Sequence, residues 1–91
     1  MSGPIDSGWI EGVTPPGYIG GPRPQHVRTV GAFRLIVTVE PSRVSWSIET
    51  EGSRFGIVRG NLPKRHRPTA LSEAKDACAA AAFDAGIAVT R

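Results

Sequence analysis

From Phe33 to Val39 the chain alternates apolar and polar positions: Phe33, Leu35, Val37 and Val39 interleave with Arg34, Ile36 and Thr38. A period of two puts the first set on one face of a β-strand. Val44, Trp46 and Ile48 alternate with Ser45, Ser47 and Glu49 in the same way, and Phe55, Ile57 and Arg59 with Gly56 and Val58. Pro41-Ser42 and Gly52-Ser53 separate the three segments as short turns, and a Gly at the first central position suits a type II′ hairpin.

The two turns can be checked against each other. Closing the first over Pro41-Ser42 pairs Val39 with Val44, Val37 with Trp46 and Leu35 with Ile48. Closing the second over Gly52-Ser53 pairs Ile48 with Ile57 and Thr50 with Phe55. Both hairpins then gather the large apolar side chains on one face, which a one-residue slip would scatter. The opposite face carries Arg34, Thr38, Ser45, Ser47, Glu49 and Arg54, with Arg34 opposite Glu49 as an exposed cross-strand pair. Ile36 and Val58 also fall on this back face.

The rhythm changes after Pro68. Leu71, Ala74, Cys78, Ala81, Ala82 and Ala85 form one stripe at 100° per residue, predicting a helix from about Ala70 to Ala85. Thr69 suits the N-cap, Glu73 and Asp76 lie near the positive end of the dipole, and Gly86 followed by Ile87 suits a Schellman ending. Three strands with one apolar face need a cover, and this helix supplies it. Its small residues allow close approach, with Phe33, Trp46 and Phe55 filling the gap. The predicted fold is α+β: a three-stranded antiparallel meander with a C-terminal helix on one face.

Residues 1–28 break both rhythms and are expected to form an extended arm before a βββα domain at 29–91. Up to Gln25 this arm holds five prolines and six glycines, which resist helix and disfavour a central strand. It also carries Ile5, Trp9, Ile10, Val13, Tyr18 and Ile19, too apolar for a solvating linker. Phe83 falls nearly opposite the helix stripe, beside Ala79 and Ala80. The arm either folds back over that helix face, or over Ile36 and Val58, or these apolar groups meet another chain. Trp9, Ile10, Tyr18, Ala79, Ala80 and Phe83 are therefore the candidate protein-interaction residues.

Composition adds limits. Ninety-one residues make one domain with a modest core. The single cysteine, Cys78, cannot form an intrachain disulfide and sits on the apolar stripe. No apolar run reaches membrane-spanning length and no basic-then-apolar leader opens the chain, so a cytoplasmic protein is expected. The formal charge of +3 is mildly basic. Its densest part, Lys64-Arg65-His66-Arg67, precedes the helix N-terminus, where a phosphate or carboxylate could be held. Arg54, Arg59 and Lys75, with Arg23 and Arg28 from the arm, extend this alternative, nucleic-acid-binding surface, but no aromatic residue is interleaved for base stacking. His26, His66 and Cys78 lack zinc spacing. No phosphate loop, nucleophile elbow or carboxylate cluster is present, so no catalytic residue, cofactor, metal or small-molecule substrate is expected.

The stretch from Trp46 to Gly60, followed by Thr69 to Ala77, resembles a pattern in many small uncharacterised bacterial and phage proteins: a Trp-bearing hairpin with a Gly turn, then a helix opening on a Glu-Ala-Lys-like segment. The resemblance covers about half the chain. It implies a fold and no activity; the apolar arm, Phe83 outside the helix stripe and the absence of catalytic groups point instead to an accessory protein, phage- or mobile-element-encoded, such as a small inhibitor or an assembly component. Glu73-Ala74-Lys75 with its alanines also looks like the last helix of a double-stranded-RNA-binding domain. Leu71 and Ser72, however, stand where that family has lysines, and residues 1–25 cannot supply its first helix. The leading expectation is a non-enzymatic protein-interaction module with a protein partner or self-association; nucleic-acid binding through residues 64–67 is the alternative.

Overall fold

The computed structural model describes residues 6–17, 21–50, 58–63, 69–87 and 89. They form an α+β fold in which one antiparallel sheet runs in chain order and one helix covers one of its faces. The expected turn at Gly52-Ser53, with Arg54, Phe55 and Ile57, lies outside the described residues, as do Tyr18, Lys64, Arg65, His66 and Arg67.

The middle of the sheet follows the alternation. Strands β3 (Phe33–Val39) and β4 (Arg43–Thr50) pair Val39 with Val44, Val37 with Trp46 and Leu35 with Ile48. The Glu40 amide donates to the Arg43 carbonyl at 2.9 Å, closing the turn over Pro41-Ser42. Arg34 faces Glu49 at 3.5 Å, the cross-strand pair expected from the register.

The sheet has five strands rather than three. The two added strands come from the arm: β1 (Ile10–Val13) and β2 (Pro24–Val30), the latter running across position 28. Strand β2 pairs with β3 from Val30↔Phe33 to Gln25↔Thr38, through a two-residue turn at Gly31-Ala32. Gly31 takes φ +58° there, the left-handed value that a primed hairpin turn demands and that a residue without Cβ adopts freely. Pro24 is tolerated because it is the first residue of its strand.

Strand β1 pairs Ile10 with Val27, while Asp6 bridges Val30. Between those points the arm advances four residues and β2 retreats three. The extra residue makes a β-bulge, with Gly8 at φ +69°.

The last pairing differs from the expected register by one residue. Strand β5 (Val58–Pro63) places Val58, not Ile57, opposite Ile48, and Gly60 opposite Trp46. The reason is steric. A Cβ at Gly60 would lie 2.7 Å from the Trp46 ring, so the indole occupies the space that any side chain at position 60 would need. The expected register put Val58 with the back-face residues; the observed one aligns it with Ile48.

Helix α1 (Ala70–Asp84) lies across β3, β4 and β5. Ala70, Ala74, Cys78 and Ala82 are buried at a strict spacing of four, with Leu71 and Ala81 packed alongside. Ala85 is exposed instead of buried, because it is the C-cap. The Gly86 amide bonds the Phe83 carbonyl, the Ile87 amide bonds the Ala82 carbonyl, and Gly86 has φ +85°; together these make a Schellman motif. It turns the chain so that Ile87 and Val89 enter the core. At the other end Thr69 precedes the helix, but its hydroxyl bonds the Glu73 carboxylate at 2.8 Å rather than a backbone amide.

The core combines these alanines with Val30, Leu35, Val37, Val44 and Ile48 from the sheet. Leu35 and Ile48 have no exposed surface, and burying such a side chain contributes roughly 1.5–3 kcal/mol.

Candidate interaction surface

Three surfaces remain once the core is closed. The first is the polar clamp that holds the arm. By register His26 and Arg28 share the core-facing side of β2 with Val30, and both are buried. The Arg28 guanidinium grips Asp6 in a fork, Nε to Oδ1 at 2.9 Å and Nη2 to Oδ2 at 2.6 Å. That bond raises the Arg28 pKa. Asp6 Oδ1 also accepts from the Gly8 amide, and the Ser7 hydroxyl accepts from the Thr29 amide, so the bulge is stitched to β2 from both sides. Trp9 packs against the core, with Lys75 Nζ 5.7 Å from its ring centroid. Burial lowers the His26 pKa, the Lys75 charge lowers it further, and Glu11 opposes both.

The second surface is the β1 edge of the sheet, opposite the β5 edge. All four residues of β1 are exposed, Ile10 at 60% and Val13 at 69%. In an antiparallel ladder successive residues turn their backbone groups to alternate sides. The Thr14 amide donates inward, to the Arg23 carbonyl at 2.9 Å. Gly12 and Ile10 therefore also face β2, while Glu11 and Val13 direct their N–H and C=O groups outward. Among the described residues no strand pairs with that side. Helix α1 does not reach over it.

The third is a shallow groove of about 620 Å³ on the sheet face opposite α1. Val27 and Ile36 lie in it beside the hydroxyls of Thr38, Ser45 and Ser47. Arg34 is paired with Glu49 and Arg43 with Glu40 at 2.7 Å, so its basic groups are balanced within the chain.

The candidate residues divide among these surfaces and the helix. Trp9 and Ile10 belong to the arm that β2 holds, Trp9 facing inward and Ile10 outward. Phe83 is 52% exposed beside the half-buried Ala79 and Ala80. Since α1 covers β3 to β5 and not β1, the Phe83 face and the β1 edge are separate patches. The described part of the arm forms the edge of the sheet, with Trp9 beneath Lys75 of α1 and Pro15 lining the back-face groove with Ile36. Of the alternative, basic set, Lys75 stands over Trp9, and Arg59 lies in β5 opposite Ser47.

Asp6 carries no signal in the sequence, Val13 is expected only as an apolar residue of the arm, and Arg28, expected to extend the basic surface, instead grips Asp6. The signal for β2 was Gly31-Ala32 between Val30 and Phe33, a two-residue turn with Gly first. Cys78 is fully buried, and burial pushes its thiol up to about 12, which keeps it protonated. Among the described residues no three His, Cys, Asp or Glu side chains converge on a metal position, and no helix is long and apolar enough to cross a membrane. Compared with known proteins, the chain matches no family model, no curated protein and no solved structure.

Proposed function

We propose that this chain is a non-enzymatic protein-interaction module that docks a partner polypeptide along the open edge of β1. It acts by occupying or assembling its partner, as an inhibitor or an assembly component does. The observation that carries the reading is β1 itself: a strand anchored by a part-buried ion pair on one side, exposed at every residue, with Ile10 and Val13 in solvent and outward backbone groups that no strand among the described residues pairs with. Of the devices that protect such edges, β1 has its short length, the Glu11 charge and the neighbouring bulge at Gly8, but no Lys or Pro within Ile10–Val13. An incoming strand satisfies the backbone groups and packs its side chains beside Ile10 and Val13.

Glu11→Pro tests this. The substitution removes an outward N–H and leaves the inward ladder of β1 intact, as edge prolines do. Tagged wild type should retain a partner that Glu11→Pro does not, with unchanged circular dichroism and melting temperature. Equal retention by both proteins would place binding elsewhere and refute the edge as the docking surface.

A further inference from the structure

We infer that the strand received by β1 is the β1 of a second copy of this chain, joining two five-stranded sheets edge to edge about a two-fold axis through Gly12. The inference rests on the edge-docking reading above and names its partner. An isologous contact requires a surface complementary to itself, and an antiparallel strand edge meets that requirement when its register permits.

The register follows by elimination. Outward-facing residues must pair with outward-facing residues, which allows an axis through Ile10, Glu11, Gly12 or Val13; the last sets Glu11 opposite Pro15′, which has no N–H to give. An axis through Glu11 sets each carboxylate opposite its own copy, and like charges directly across a ladder are destabilising. An axis through Ile10 drives the partner strand past the bulge, where Gly8 at φ +69° turns the backbone away from strand geometry. The axis through Gly12 pairs Glu11, Gly12 and Val13 within β1 and sets Ile10 opposite Thr14′. It pairs Glu11 with Val13′ and Val13 with Glu11′, each pair exchanging both of its N–H···O=C bonds. The two Gly12 residues meet at the axis, where a Cβ would find nothing within 4 Å in the single chain, so the backbones close without obstruction. Ile10 then lies diagonally beside Gly12′, over space left by the missing side chain, and Val13 lies along the stem of Glu11′. Helix α1 stays over β3 to β5 and does not overhang the joint.

The pairing is short. It falls at the small end of specific interfaces, below ~1,200 Å² in total, so dimerisation depends on concentration.

The test is the solution mass by light scattering from ~10 µM to ~1 mM, for wild type and three variants. Wild type should rise from the mass of one chain toward that of two. Glu11→Pro should stay at one. Val13→Glu sets acid opposite Glu11′ twice by symmetry and should also stay at one; Val13→Lys sets opposite charges there and should dimerise at several-fold lower concentration, an advantage lost in high salt. Because Val13 is 69% exposed, both Val13 variants keep the fold even if proline at 11 does not. A wild type that remains a single chain across the range overturns the second-copy assignment. So does a dimer indifferent to Val13→Glu and Val13→Lys. A monomeric wild type whose β1 edge still captures a different protein would refute this inference alone, whereas a monomer with capture indifferent to Glu11→Pro would remove both readings.

Discussion

Strands β2 and β4 both flank β3, yet they attach to the fold differently. Strand β4 turns Val44, Trp46 and Ile48 toward α1, and Val44 and Ile48 are shut off from solvent. Strand β2 turns His26, Arg28 and Val30 to the same side, and only Val30 joins the apolar cluster. The helix packs closely on β4 but not on β2. The gap is closed by the arm itself, through the Asp6–Arg28 fork and the Trp9 ring beneath Lys75. One sheet therefore has an apolar half, non-directional and tolerant of repacking, and a polar half that depends on a few specific bonds. The first should fail only with the whole domain. The second should open by itself.

The largest effect should come from the apolar half. Leu35→Ala should destabilise the domain by about 2–5 kcal/mol, read as a lower denaturant midpoint with all amides losing protection together. On the polar side, Asp6→Ala leaves the shielded Arg28 guanidinium without its fork and should cost about 1.5–3 kcal/mol. Hydrogen exchange should then accelerate in β1 and β2 well before β3 and β4. Uniform acceleration across the sheet would show that the two halves are one cooperative unit and break the comparison.

Gly60→Ala probes the apolar half at its tightest point. The added methyl meets the Trp46 ring, and about 1–3 kcal/mol should be lost, with a shift in indole fluorescence. An unshifted spectrum would mean that Trp46 does not rest on Gly60.

The smallest effect is pH dependence in the polar half. The folded-state pKa of His26 lies below its ordinary value of 6.5, so in acid the unfolded chain binds the proton first. The stability associated with neutral His26 is complete above pH 6.5 and falls as pH drops through the folded-state pKa. Urea midpoints should therefore decline on acidification below pH 6.5, and His26→Gln should flatten that part of the profile.

The same contrast explains what the sequence disclosed. Strands β3 and β4, their register, the Arg34–Glu49 pair and the helix with its Schellman ending were legible because burial writes a periodic apolar pattern. Strand β2 was not, because its inward positions His26 and Arg28 are polar and are satisfied by Asp6, twenty-two residues away in the chain. Strand β1 offered Gly12 and a run between prolines, which composition alone assigns to irregular structure. The β4–β5 register differs by one residue from the one that the apolar alternation of Phe55 and Ile57 implies, because the volume of Trp46 decides it. A large ring opposite a glycine is a steric constraint, invisible to a pattern that scores positions only as apolar or polar. The candidate surface was half legible: Trp9 and Ile10 were singled out as apolar, but nothing local says that one faces the core and the other solvent.

The strands lie in the sheet in the order in which they are synthesised, each beside its immediate predecessor. No early strand waits for a distant one, so pairing can proceed by zipping from one short turn to the next, the low-contact-order route that favours rapid folding. The cover, however, comes last. Until the ribosome has made α1 and Ile87, the face bearing Leu35, Val37 and Ile48 has no lid, and during that interval the nascent sheet is the form of this protein most exposed to aggregation and to chaperones.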